Sequence, residues 1–424
     1  MNKFMDFLAE KIMPVAAKLG QNVYLTTLRD AFMLSFPLTM FGSLVVVINN
    51  LPFFSSSTQS TLGNLFGSGQ NATMAIMSVF VTIGIGYYWA IQHEVDGIFC
   101  GIISLASFLI LTPFFLTTEM GEEVSNVLAL DRLGAKGMFL GIIVAFISAK
   151  LYVWFNKKGY IIKMPDGVPP AVSRSFSALI PAIATLAFFL ILNAVVVGVL
   201  STNLHDVIYN VIQKPLTGLG TSLPGTVIAI FFVQFLWFFG LHGQVIVNSV
   251  FEPFWQANML DNANLTAQSA TELAENGHIV TKSFMDTFTV GLGGSGSTLI
   301  VVLMMAFIMK NKQYRDVGRL ALAPGIFNVN EPVIFGLPIV MNAAIFIPWL
   351  IAPLVSVVLA YFSFSTGLVP LTTGAQVPWT VPVVISGFLA TNSIMGSLLQ
   401  IVQMAVIGLL WFPFLKLVDK SEVL

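Results

Sequence analysis

The stretch Ala323-Pro-Gly-Ile-Phe-Asn-Val-Asn-Glu-Pro-Val-Ile-Phe-Gly-Leu-Pro338 contains one acid, Glu331, and no other charged residue occurs from Leu320 to Phe362. A carboxylate in so long an apolar run costs a few kcal/mol on insertion scales, so it marks a functional site by default. Pro324, Gly325, Pro332 and Pro338 argue against one unbroken helix. A residue before proline is pushed toward extended geometry, and here that residue is Glu331. The acid is therefore expected on irregular backbone. At membrane depth such backbone is tolerated only where protein buries it or where it lines a wet cavity.

The composition fits this setting. Of 424 residues, 56% are hydrophobic and 9% charged, with a net charge of -1. Soluble proteins carry about 25% charge, so the chain is an all-α polytopic membrane protein. The balance of charge speaks against a nucleic-acid partner. The single cysteine, Cys100, lies in an apolar run and reads as a small core residue. No paired metal-ligand motif occurs, and neither a metal nor another cofactor is expected. Met1–Gln21 mixes Lys3, Asp6, Glu10, Lys11 and Lys18 with apolar residues, unlike a cleavable signal.

Residues 1–30 read as an amphipathic helix at the membrane surface or as a long helix leading into the first span, with Phe4, Phe7, Leu8, Ile12 and Val15 at helical spacing. Apolar runs of about 20 residues predict spans near 31–51, 72–92, 97–117, 135–156 and 176–200. The loop at 52–71 is uncharged and that at 118–136 mainly acidic. The segment 150–174 carries Lys150, Lys157, Lys158, Lys163 and Arg174. Starting inside, these spans put both basic segments on the cytoplasmic face, as the positive-inside rule requires.

In the second half, residues 201–222 are expected outside and the Lys310–Arg319 cluster inside. Crossings are expected at 223–248 and 297–309, with a weaker one at Ile279–Gly296 and an inside loop at 251–278. The alternative is that 223–248 dips in and returns. Keeping Lys416 and Lys420 inside then requires a hairpin at 320–338, a crossing at 339–362, a second broken segment near 378–392 and a last span at 393–415. The total is about ten spans with two re-entrant hairpins, and both termini are cytoplasmic.

The expected organisation is a scaffold and dimerisation part at 1–155 and a basic cytoplasmic linker at 156–175. A fifth span with its outside loop follows at 176–222, and a substrate-binding part at 223–424.

Several constellations could carry chemistry. His242 lies among Trp237, Gly240, Gly243 and Gln244, and is either a satisfied core histidine or part of a sugar site with a stacking indole. Glu331, with Asn328 and Asn330, either binds ligand or locks a hairpin tip, and the two roles are compatible. Gly291-Leu-Gly-Gly-Ser-Gly-Ser-Thr298 is either a phosphate nest or a tight packing turn. It is not a P-loop, since Ser297 stands at the lysine position. Trp379 is either an interfacial anchor or a binding residue, with Asn392 a polar neighbour. His93, Glu94 and Asp96 read as a solvated cytoplasmic turn. Amides offer both donors and acceptors, which suits a neutral ligand with many hydroxyls.

With these residues located, the chain resembles the sugar-translocating IIC subunit of the lactose/cellobiose/chitobiose class of the bacterial phosphoenolpyruvate-dependent phosphotransferase system. The resemblance spans essentially the whole chain. It is carried by Pro165-Asp-Gly-Val-Pro-Pro-Ala-Val-Ser-Arg-Ser-Phe-Ser-Ala-Leu-Ile-Pro181, Leu236-Trp-Phe-Phe-Gly-Leu-His-Gly243, Gly293-Gly-Ser-Gly296 and Gly325-Ile-Phe-Asn-Val-Asn-Glu-Pro-Val-Ile-Phe-Gly-Leu-Pro338. It implies a homodimer in the lipid of the bacterial cell membrane. It also implies import of a β-linked disaccharide, of cellobiose or diacetylchitobiose type, whose 6-hydroxyl is phosphorylated by the phosphocysteine of a separate IIB protein. IIB is charged in turn through IIA, and the IIC subunit holds no phosphoryl group itself.

The resemblance assigns Glu331 and His242 to the sugar near the transferring hydroxyl. The chain's end at Leu424 favours a free-standing IIB. Lys163, Arg174, Arg315 and Arg319 are candidates for phosphate or IIB contact, or orientation signals. On physics alone, a proton-coupled sugar symporter using Glu331 is the competing reading.

Overall fold

The computed structural model describes residue 18 and residues 21–421, apart from 50–53, 118–122, 166, 338, 341 and 343. Most of the helix expected over residues 1–30 lies outside the described residues. Two compact units are present, one built from 21–39 and 71–217, the other from 40–70 and 218 onward. Six helices among the described residues are long and apolar enough to cross a membrane, or seven if a bent pair counts as one span.

In chain order the helices begin with α1 Val23–Asn49, α2 Ser56–Asn71, α3 Met77–Gln92 and α4 Gly97–Ile110. The only strands among the described residues follow, β1 Phe115–Thr117 antiparallel to β2 Glu123–Ser125. Then come α5 Met138–Lys157 and α6 Pro170–Leu200. In the first unit α3 and α4 meet at small residues. A Cβ on Gly86 would lie 2.9 Å from both the Cys100 carbonyl oxygen and the Gly101 Cα. Such contact lets backbones pack where lipid supplies no hydrophobic drive. Cys100 is fully buried there.

The turn before α4 is more ordered than a solvated loop. Asp96 accepts from Ile98 N and Phe99 N, capping the helix, and pairs with Arg174 at 3.6 Å. His93 stacks on Trp89.

In the second unit the main helices are α7 Leu223–Phe238, α8 Gly243–Gln268, α9 Lys282–Phe288, α10 Leu299–Phe307, α11 Lys312–Ile326, α12 Glu331–Gly336, α13 Phe346–Ser365, α14 Ile385–Thr391 and α15 Ile394–Ser421. Their core holds Trp255, Trp349, Trp411, Phe284 and Phe288, all fully buried. Gln403 of α15 crosses that core, donating to Phe288 O at 2.9 Å and Ser356 O at 3.1 Å.

Three segments expected as loops are helical. Residues 52–71 contain α2, whose first turn is capped by Ser55 Oγ accepting from Thr58 N. Residues 201–222 contain the helical stretch Leu204–Gly220. Residues 251–278 hold most of α8 and the short helix Ala270–Asn276. In each case polarity signals solvent or partners rather than absence of helix.

The reverse occurs at 223–248, expected as one crossing or as a segment that dips in and returns, and at Ile279–Gly296, expected as one weaker crossing. The first is broken at Gly240, with φ +75°. The second is α9 followed by a turn in which Gly293, Gly294 and Gly296 all have positive φ.

Candidate functional site

The glycine turn after α9 is the floor of the candidate site. A Cβ on Gly294 would lie 2.6 Å from Asn328 O and 2.7 Å from Asn330 Oδ1, so only glycine lets the two segments touch. Asn328 sits in the left-handed region, with φ +63°, which asparagine tolerates better than most residues. Its Oδ1 accepts from Gly293 N at 2.7 Å, and its Nδ2 donates to Trp379 O at 2.6 Å and Val381 O at 3.0 Å. Asn330 Nδ2 donates to Ser295 O. Both asparagines are buried, and Asn328 spends both its donors on backbone. The turn thus joins three chain segments, and its packing role is directly visible.

Glu331 follows this clamp as the first residue of α12, with Pro332 next. Proline is tolerated in a first helical turn because its missing N–H has no intrahelical partner there. Glu331 itself is therefore helical, and irregular backbone flanks its short helix on both sides, before Glu331 and after Gly336. The carboxylate is exposed rather than buried, so it avoids the desolvation cost of a sealed core. Gly336 lets α12 fold back on α11, since a Cβ there would collide with the Val317 side chain.

His242 stands at the start of α8, where its Nδ1 accepts from Val245 N at 3.4 Å. In the neutral ring this bond puts the proton on Nε2. Trp237 packs its ring on the imidazole, with centroids 4.4 Å apart. Trp237 is 5% exposed, and its indole N–H has no protein acceptor among the described residues. Glu331 is near enough for its charge to act on His242. The acid, the imidazole and an unsatisfied indole donor thus belong to one neighbourhood.

The other predicted residues divide. Trp379 is exposed and enters through its carbonyl bond to Asn328. Gly243 is buried against the Val233 carbonyl, where it serves the α7–α8 approach. Gln244 donates to Asn248 Oδ1 at 2.9 Å along α8. Asn392 ends α14 with φ +48°. Arg315, partly buried, and Arg319, exposed, lie one turn apart on α11, which leads into the clamp. Lys163 and Arg174 are exposed on the other unit. Among the described residues no group of three His, Cys, Asp or Glu side chains could hold a metal ion.

A charge cluster went unread in the sequence. Lys282 lies 2.8 Å from Asp286 and 3.3 Å from Glu252, with all three side chains nearly buried. The i,i+4 pair Lys282 and Asp286, standing in an otherwise apolar run, was the available signal. The partner Glu252, thirty positions away, had none.

A family model described as phosphotransferase system, EIIC matches residues 29–353. The PTS system oligo-beta-mannoside-specific EIIC component of Bacillus subtilis (strain 168) is 52% identical over 420 residues, covering 98% of this chain and 94% of that protein. The PTS system cellobiose-specific EIIC component of Geobacillus stearothermophilus is 39% identical, covering 100% of this chain and 96% of that protein. The crystal structure of the transporter ChbC, the IIC component from the N,N'-diacetylchitobiose-specific phosphotransferase system, matches with a TM-score of 0.91 at 35% identity and 98% coverage of each chain.

Removing one partner of a buried ion cluster leaves uncompensated charge, at a cost of about 3–5 kcal/mol. Lys282→Met is therefore expected to lower the thermal unfolding midpoint in detergent. Adding Glu252→Gln and Asp286→Asn recovers most of the loss. An unchanged midpoint for Lys282→Met contradicts a coupled triad.

Proposed function

The chain belongs to the EIIC family of the phosphotransferase system, and on that premise we propose that it imports a β-linked disaccharide and presents the sugar's 6-hydroxyl to phosphorylated IIB at the inner face. The observation that carries this reading is an exposed carboxylate whose charge reaches a histidine with its Nδ1 already engaged, that histidine being packed on Trp237, whose indole N–H has no acceptor among the described residues. In the proposed step Glu331 accepts the O6 proton as O6 attacks phosphorus. The P–S bond of the IIB phosphocysteine breaks and the thiolate leaves. His242 Nε2–H and the Trp237 indole donate to ring hydroxyls. Phosphoryl transfer leaves little covalent work to the protein, so positioning and charge dominate.

Asn328 and Asn330 act by holding the Glu331 turn rather than by spending their amides on sugar. Trp379, exposed at the edge of the same clamp, offers a face for the second ring. Arg315 and Arg319, on the helix leading into that turn, are proposed to meet the phosphoryl group or IIB, while Lys163 and Arg174 orient the chain or contact IIB. Both termini are proposed to face the cytoplasm.

The names of the three relatives above refer to β-linked sugars: oligo-beta-mannoside, cellobiose and N,N'-diacetylchitobiose. These differ at position 2, in configuration or in an acetamido group. The higher identity to the oligo-beta-mannoside protein makes the manno configuration the first to test.

Glu331→Gln keeps the shape of the side chain and removes the base. Phosphorylation of sugar in vesicles supplied with phosphorylated IIB is expected to fall by about 10²–10⁴-fold, and sugar binding to weaken. Wild-type turnover in this variant contradicts the assignment. His242→Ala is expected to weaken direct sugar binding by about tenfold, near the upper end for one neutral hydrogen bond. Unchanged affinity would leave His242 only its role in capping α8.

Competition for uptake separates the substrates. β-Mannobiose, cellobiose and diacetylchitobiose are each expected to compete to a measurable degree, with β-mannobiose strongest, while the α-linked disaccharide maltose does not. Strong competition by maltose rules out a β-selective site.

A further inference from the structure

The segment that receives Asn328 is itself held in an unusual way. Val384 has φ +76° and ψ -50°. A β-branched residue with positive φ is a genuine outlier, and this region is that of the strained three-residue γ-turn. Such strain persists only where surrounding structure over-determines it. Val384 is also the N-cap of α14, a position at which its own side chain offers no hydrogen bond.

The missing cap comes from another helix. Gln400 of α15 is fully buried, and its Oε1 accepts from Val384 N at 2.7 Å and from Gly387 N at 3.0 Å. Its Nε2 donates to Thr287 O of α9 at 2.9 Å. Ser397 Oγ donates to Val384 O at 2.6 Å, so the strained peptide is gripped on both sides. On the helical side, α14 lies against α15 at Gly387, where a Cβ would stand 2.5 Å from Gly396 O. On the loop side, Ser386 N donates to Pro382 O and Val381 N to Pro378 O. The loop between these bonds carries the Trp379 and Val381 carbonyls that accept from Asn328. A path of hydrogen bonds and a few residues of backbone thus runs from Gln400 through Val384 and Val381 to Asn328, three residues before Glu331.

We propose that Gln400 is a positioning residue for Glu331, acting by capping the strained Val384 turn and so aiming the carbonyls that clamp Asn328. The proposal rests on the reading of Glu331 as the acceptor of the sugar's hydroxyl proton. The strain makes Gln400 necessary, because valine holds φ +76° only while both its N–H and its carbonyl are tied. A glycine at 384 would hold that conformation without help.

The test uses the full chain in membrane vesicles, with Thr380→Cys as a thiol reporter on the loop; the native Cys100 is fully buried and gives little background. Gln400→Met fills the same volume without either polar atom. It is expected to raise the maleimide labelling rate at position 380 by about tenfold and to lower sugar phosphorylation by about tenfold to a hundredfold, the range for a stranded buried donor. Adding Val384→Gly is expected to bring both readouts back to within about threefold of the parent, since glycine removes the strain. A bulk packing role for Gln400 would not be rescued by a glycine 16 positions away on another segment.

If Gln400→Met does not insert stably, Ser397→Ala is read instead. It loses only the bond to Val384 O and is expected to raise labelling by about threefold, again reversed by Val384→Gly. Unchanged labelling in these variants, or no recovery with glycine, overturns the proposal. Labelling does not involve the sugar. If Glu331→Gln leaves phosphorylation intact while labelling follows the expected pattern, the hydroxyl-acceptor reading fails and the control of the turn by Gln400 stands.

Discussion

The Asn328 side chain is the constraint on which the candidate site depends. One amide links the glycine turn at Gly293, the carbonyls of Trp379 and Val381, and the backbone that leads into Glu331. Few residues could do this. The position needs φ +63°, one acceptor and two donors on a short side chain. Aspartate would supply no donors, and glutamine would be too long and poorly suited to the backbone. Because the three segments lie far apart in sequence, no local preference holds them in register. The neighbouring Asn330 adds a second stitch to Ser295 O.

The second unit handles its charges in two ways, and the contrast separates structure from chemistry. Lys282 is enclosed with Glu252 and Asp286, a paired cluster that ties α8 to α9. Among the described residues Glu331 has no such ion pair; it stays exposed, and its charge reaches His242. A carboxylate that keeps access to solvent remains available to accept a proton. A carboxylate locked to a buried ammonium is committed to holding the fold. Buried amides do the remaining polar work, with Gln400 and Gln403 satisfying backbone groups where helices are short or broken.

The membrane character and the polar turn around Glu331 were legible in the sequence because they depend on local signals: long apolar runs, proline spacing and a solitary acid. The resemblance to the EIIC family was legible for the same reason, since its motifs are contiguous. The helix Ser56–Asn71 was not, because its polarity imitates a loop. Nor was the split of 223–248, which turns on the positive φ of Gly240 and the capping bond of His242. Asn328 and Asn330 were recognised as important, but their donors go to backbone segments 35 and 51 positions away. The pairing of Glu252 with Lys282 and of Gln400 with Val384 is likewise non-local. These contacts follow from tertiary packing, which no window of sequence encodes.

The central claim is that the sugar leaves the membrane chemically altered at its 6-hydroxyl, through a site built on Glu331. The direct measurement is the product formed in inside-out vesicles supplied with labelled β-disaccharide and phosphorylated IIB, with and without a protonophore. The account predicts sugar 6-phosphate in an amount set by phospho-IIB and unaffected by collapse of the proton gradient. Unmodified sugar moved in proportion to that gradient would contradict it and make Glu331 a proton carrier instead.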